Sequence, residues 1–308
     1  MSSYLSVLAR RAKRWNGSIE DKKGVPKSIK VKRFCRKGIP SEHRASVWMC
    51  VSGAEDRRQT NPGLYPRLVS EAKDSALLET INLDIHRTFP ENIYFAETDD
   101  PSGLRNPLRK VLTALAHKNQ RTGYCQGLNF ITGMLLLIVR DDEKVFWLMD
   151  TLINNILPDY YAPDMLVLQA EQEVLGKLVK WKVPAVYAHM ESQGVSWTLV
   201  GMKWFICLYA DVLPTETVLR IWDCLFFEGS KILFRVAVAL IMLNKERILA
   251  SKNFSELMDL FKEIVTDPAT LHCHTFMQKI FQIPGSFPQS RIDSFRKECL
   301  EKVKGQAK

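Results

Sequence analysis

No segment of the 308-residue chain stays apolar long enough to cross a bilayer. The longest apolar run, Leu128 to Val139, is interrupted by Asn129 and Thr132 and falls short of the roughly 20 residues that a spanning helix needs. The first residues lack the apolar core and small-residue cleavage site of a secretory leader. The seven cysteines, Cys35, Cys50, Cys125, Cys207, Cys224, Cys273 and Cys299, are odd in number and scattered, with no Cys-x-x-Cys among them. Both absences lead to the expectation of a cytoplasmic chain with reduced thiols.

The short motifs that bind nucleotides and metals are missing too. There is no Gly-x-x-x-x-Gly-Lys-[Ser/Thr], Gly-x-Gly-x-x-Gly, Gly-x-Ser-x-Gly or His-Glu-x-x-His, so no site of the chain's own for nucleotide, acyl transfer or zinc is expected. His272-Cys273-His274 is the nearest approach to a metal cluster. Neighbours on a helix diverge by about a third of a turn, however, and no second ligand pair is spaced to complete a site. Strand-like alternation is absent, as is any 34- or 40-residue period, which excludes a solenoid. With 46% hydrophobic and 25% charged residues, the chain can bury a sizeable core as one large or two smaller domains. The expected fold is all-α, built of antiparallel helices with short connections.

The net charge of +9 is unevenly placed. Residues 1–44 hold 13 Lys and Arg against three Asp and Glu, leaving 30 against 31 in the remainder. Tyr4, Leu8, Arg11 and Trp15 fall on one stripe of a helix, so this basic arm could lie on acidic lipid, meet an acidic protein, or dock on its own domain. Nucleic acid is not expected as a partner, because no zinc-finger spacing, aromatic RNA-binding motif or basic zipper accompanies the charge. Gly17, Gly24 and Pro26 mark residues 16–33 as a linker. The chain then divides into a basic helix and linker (1–33), a main domain (34–250) and C-terminal helices (251–308).

Within the main domain, Arg44 and Trp48 stand four apart on one helix face, a pairing that reads as structural, guanidinium on indole. The helix from Leu77 should end near Phe89, ahead of Pro90, with Asp84 and Arg87 close enough to pair. On position alone, Arg87 in a last turn reads as a helix-dipole cap, a contribution of only about 0.3 to 1 kcal/mol. Asn106 and Pro107 read as the start of the next helix, and Gly123-Tyr124-Cys125-Gln126-Gly127 as a tight turn ahead of a buried helix from Leu128. Downstream, Asp141, Thr215 and Asn253 read as N-caps. Leu168 to Val179 forms a more exposed helix, Ser196 to Tyr209 the centre of a second helical layer, and Ile232 to Leu249 a single helix.

Three of these patterns occur in a fixed order: Arg44-x-x-x-Trp48, Ile81-x-x-Asp84-x-x-Arg87 and Tyr124-x-Gln126-x-x-Asn129. In this the sequence resembles the TBC domain, the Rab GTPase-activating family. The likeness extends over roughly Gly38 to Leu249, through Leu219-Arg220-Ile221-Trp222-Asp223-Cys224-Leu225-Phe226. It implies two helical lobes and an activator that is not itself an enzyme but completes the active site of a GTP-bound Rab in membrane traffic. Arg87 would be an arginine finger and Gln126 a glutamine finger. Asp84 would hold Arg87 or nearby backbone, while Tyr124 and Asn129 would shape the glutamine turn or bind the Rab. GTP and Mg²⁺ would come with the partner, and the chain would be cytoplasmic or peripheral on membranes. A Rab-binding scaffold without catalytic effect is the alternative.

Overall fold

The computed structural model describes residues 2–19, 25, 27–71, 75–96 and 102–306. Gly24 and Pro26 of the expected linker and the side chain of Tyr4 lie outside the described residues. No strand occurs among those described, and none of the described helices is long and apolar enough to cross a membrane. The all-α expectation is met, and the chain forms two compact units, residues 1–163 and 164–308.

The first unit contains α1 (Ser2–Ile19), α2 (Ile29–Lys37), α3 (Ser41–Ser52), α4 (Ala54–Thr60), α5 (Leu64–Glu71), α6 (Ser75–His86), α7 (Arg105–Lys118), α8 (Leu128–Val139) and α9 (Asp142–Thr151). Helix α7 packs against α5, α6, α8 and α9, and every residue from Val111 to Ala116 is buried. It begins at Arg105 after Leu104, so Asn106 is not its N-cap and Pro107 is its third residue; the missing amide of that proline falls among donors that lack intrahelical acceptors anyway. Asp141 does cap α9, accepting from the Lys144 amide at 3.0 Å.

The basic arm is docked on its own unit. Trp15 is buried, donates its indole N–H to the Gly38 carbonyl at 3.0 Å, and meets Phe34 edge-on at 5.8 Å. The expected linker is mostly helical where described, since α1 runs through Gly17 to Ile19 and α2 already begins at Ile29, capped by Ser28.

The second unit contains α10 (Leu166–Lys182), α11 (Pro184–Ser192), α12 (Trp197–Ile206), α13 (Thr215–Glu228), α14 (Lys231–Leu243), α15 (Lys245–Ala250), α16 (Phe254–Ile264), α17 (Pro268–Leu271), α18 (Cys273–Gln282) and α19 (Gln289–Gln306). The roles expected of two helices are exchanged. It is α10 that lies at the centre, against α11, α12, α14 and α19, while α12 leaves Leu199 in solvent. Gly176 makes the contact with α12 possible, because a Cβ there would stand 2.5 Å from the Trp197 ring. The span expected as one helix breaks at Asn244, whose side chain bonds back to the Leu240 carbonyl at 3.0 Å. Thr215 is the first residue of α13 and not its cap, but Asn253 caps α16 as expected, accepting the Glu256 amide at 3.0 Å, while the Glu256 carboxylate reaches back to the Lys252 amide at 2.9 Å.

Docking of the arm through Trp15 has a measurable consequence. Trp15→Ala removes a fully buried indole and its hydrogen bond, a loss of about 3 kcal/mol or more, and should shift the urea midpoint accordingly. A midpoint equal to that of the parent chain would mean that α1 does not pack on the unit in solution.

Candidate functional site

Helix α6 ends at His86, three residues earlier than expected, and the chain turns through Phe89 with a left-handed φ of 47°. Arg87 therefore lies one residue beyond the helix. The turn is held against α8 by a close approach at Gly133, where a Cβ would come within 3.0 Å of the Thr88 methyl and 3.2 Å of the Phe89 ring. Phe89 itself packs on Phe95 and Phe130. Facing this turn, residues 119–127 bring the chain from α7 to α8. Gly127, the N-cap of α8, has φ 110°, a conformation that a side chain would make costly.

Two buried polar residues tie these segments together. Asp84 is 4% exposed and accepts the Tyr124 hydroxyl at 2.6 Å, while Arg87 Nη2 stands 2.5 Å from its other oxygen. Asn129 is fully buried; its Nδ2 donates to Thr88 Oγ1 at 2.8 Å, and its Oδ1 accepts the Gly127 amide at 3.0 Å. Thr88 Oγ1 donates in turn to the Asp84 carbonyl at 2.7 Å. Residue 84 is thus joined to 124, and 88 to 129. Arg87 lies between the first members of these pairs and Gln126 between the second, so both belong to one locality. Both also face water: the Arg87 side chain is half exposed and Gln126 is exposed.

Electrostatics keep the supporting groups in their donor forms. Burial, then the bond to Asp84, raises the Tyr124 phenol well above its ordinary range. Burial, reinforced by the Asp84 charge, pushes the Cys125 thiol up to about 11, so it stays protonated at neutral pH.

A second anchor was not foreseen from the sequence. Asp150, fully buried on α9, accepts from Lys118 Nζ at 2.7 Å, from Asn154 Nδ2 at 2.9 Å, and from Arg57 through Nε at 3.1 Å and through Nη2. Asn154, in a π-helical turn over Leu152–Ile156, also donates to Asn119 Oδ1 at 3.0 Å. The Asn119 carbonyl then accepts the amides of Thr122 and Gly123 at 2.9 and 2.8 Å. The start of the glutamine turn is therefore set from beneath by a buried carboxylate. Its one signal in the sequence is a lone Asp inside the otherwise apolar face of α9.

Of the other residues singled out earlier, Arg44 and Trp48 are interior residues of α3, both buried. His272 is exposed, Cys273 buried and His274 intermediate. Among the described residues no group of three or more His, Cys, Asp or Glu could hold a metal ion. The locality offers instead one cation and one carboxamide, open to solvent and supported by buried hydrogen bonds. It can act on an anionic group brought by another molecule.

The model of the Rab-GTPase-TBC domain family matches residues 41–249, and the chain belongs to that family. It is similar along nearly its whole length to growth hormone-regulated TBC protein 1. With the Homo sapiens protein it shares 50% identity over 305 residues, 99% of this chain and 90% of that one. With the Danio rerio protein 1-A the identity is 50% over 303 residues, 98% and 85% of the two chains. Among solved structures, the Chlamydomonas flagellar RabGAP TBC domain superposes with a TM-score of 0.79 at 31% identity, covering 91% of this chain and 93% of that one. The Ypt/Rab-GAP domain of Gyp1p, at 18% identity and a TM-score of 0.70 over 96% and 98% of the chains, shares the fold.

Removing the Tyr124 hydroxyl tests the bridge directly. Tyr124→Phe leaves a lone pair of a buried carboxylate without its donor, a loss of about 1 to 3 kcal/mol. The phenol's shift is upward, so its contribution to stability is complete below the ordinary value near 10 and declines only as pH rises past it. The loss measured by urea unfolding should therefore be the same at pH 6 and at pH 9; a loss present only at the lower pH would contradict this assignment.

Proposed function

We propose that this chain accelerates GTP hydrolysis by a Rab-family GTPase, supplying Arg87 and Gln126 in trans. A Rab carries its own GTP and Mg²⁺ but hydrolyses slowly, because charge building on the transferred phosphoryl is unmatched and the attacking water is loosely held. The Arg87 guanidinium meets the first deficit by reaching the β- and γ-phosphate oxygens. The Gln126 carboxamide, able to accept from water and donate to phosphate at once, meets the second. No cofactor of the chain's own takes part.

The observation that carries this reading is the pair of bridges, Asp84 to Tyr124 and Thr88 to Asn129, which flank the two solvent-facing side chains. The pairing of Arg87 with the buried Asp84 carboxylate supports a role beyond that of a helix-dipole cap. Asp84 acts as a resting partner: it holds the guanidinium near the surface until phosphate oxygens compete for it. Tyr124 and Asn129 shape the turn that presents Gln126. Such an activator would work in the cytoplasm, on membranes where traffic GTPases reside.

The test is phosphate release from a panel of GTP-loaded Rabs. An arginine finger contributes about 10³ to 10⁵ in rate, against less than a tenfold effect of any helix cap. Arg87→Ala and Arg87→Lys should abolish stimulation while leaving the circular dichroism spectrum intact, and Gln126→Ala should reduce it strongly. Full stimulation by folded Arg87→Ala would falsify the mechanism. A panel with no responding member, but with measurable binding, would assign the chain to the scaffolding class.

A further inference from the structure

At the C-terminal end of α10, in the second unit, Trp181 is 37% exposed and two cations stand over its ring: Lys182 Nζ at 3.9 Å from the centroid and Arg291 Cζ at 4.9 Å. Lys180, one residue before, is exposed beside Tyr187 at 5.1 Å. Behind them Arg235 packs on Phe287 at 4.8 Å. The surrounding carboxylates are already engaged elsewhere: Glu171 and Asp293 with Arg296, Glu298 with Lys177, and Glu173 with Lys302. Lys180, Lys182 and Arg291 have no carboxylate partner among the described residues, and the positive charge here is uncompensated.

Helix stability explains only part of this arrangement. Lys180 and Lys182 lie in the last turn of α10, where cations favour the dipole. Arg291 lies in the first turn of α19, which holds no acidic residue and where a cation is unfavourable. Lys182 is crowded as well: burial, then the charge of Arg235, lowers its proton affinity. Two cations thus stand over an exposed indole at a cost to the protein, with Lys180 exposed beside Tyr187, in a chain whose charge beyond residue 44 nearly cancels.

We infer that Lys180, Trp181, Lys182 and Arg291 form a contact surface for an anionic lipid bilayer, distinct from the Arg87 and Gln126 locality. Lys182 Nζ also donates to the Ser286 carbonyl at 2.8 Å, which fixes that charge beside the ring; fixed cations at the face of an indole that is apolar in body and polar at its N–H suit the bilayer interface. Lipid headgroups diffuse laterally and can gather under a fixed set of cations from two helices. An acidic peptide would have to match their register.

Flotation of the full chain with phosphatidylcholine vesicles, with and without phosphatidylserine, tests the assignment. Each juxtamembrane cation is worth about fivefold in affinity. The wild type should therefore bind only the serine-lipid vesicles, more weakly as salt rises, and Arg291→Glu should weaken binding roughly twentyfold. Lys180→Glu provides a second, fully exposed variant should Arg291→Glu misfold, and Trp181→Ala should weaken binding at every salt concentration. Arg291→Glu should stimulate a soluble GTP-loaded Rab as the wild type does, so the assignment and the finger mechanism can fail separately. Lys13→Glu in the docked arm serves as comparison. The assignment is overturned if both patch variants bind like wild type, if Lys13→Glu alone abolishes binding, or if the wild type ignores lipid charge. It is overturned equally if polyglutamate is retained by the patch while vesicles are not, since that result points to an acidic protein.

Discussion

Asp84 is the residue on which the site depends. A carboxylate that is almost wholly buried is expensive unless its oxygens find donors. Here one oxygen takes the Tyr124 hydroxyl and the other the Arg87 guanidinium. The first bond links the end of α6 to the turn before α8, across 40 positions of chain. The second holds a half-exposed cation at the rim. A single desolvated charge therefore does two things: it closes the local structure, and it keeps Arg87 oriented and within reach of solvent.

The surrounding design explains why a residue on a turn can be placed with precision. Gly133 lets the Thr88-Phe89 segment lie directly on α8, Gly127 takes a backbone conformation that starts α8 abruptly, and buried Asn129 joins both through two hydrogen bonds. Asp150 fixes the entrance to the same turn through Asn154 and Asn119. Side chains locked by buried partners lose little further entropy when a ligand arrives, which is what transition-state stabilisation by preorganised groups requires. The arrangement is that of a rigid support carrying two solvent-facing side chains.

The second unit has a different character. Its core is built around α10, with Gly176 allowing Trp197 to approach the helix axis, and the C-terminal helices α18 and α19 belong to the same packing as α13, α14 and α10. Helices α18 and α19 are therefore part of the unit's core contacts even though the family match ends at 249. The cations around Trp181 stand where α10 meets α19 in this packing.

Much of the fold was legible because helical period, caps and glycine punctuation act locally. The helices, the Asp141 and Asn253 caps and the Asp84–Arg87 pair all join residues within four positions of one another, and the order of the three polar motifs pointed to the family. What could not be read was whatever joins distant segments. The sequence alone favoured α12 over α10 as the central helix, because burial depends on what neighbours supply and not on apolar content. It also left the arm's place open, and Trp15 settled that only by finding the Gly38 carbonyl. The Tyr124–Asp84 and Asn129–Thr88 bridges and the Asp150 network span tens of residues and carry no local signature. By itself, then, the sequence determined that the chain is helical and which polar residues were unusual; tertiary structure decided that Arg87 and Gln126 share one exposed locality, because only packing brings such distant hydrogen-bonding groups within 3 Å of one another.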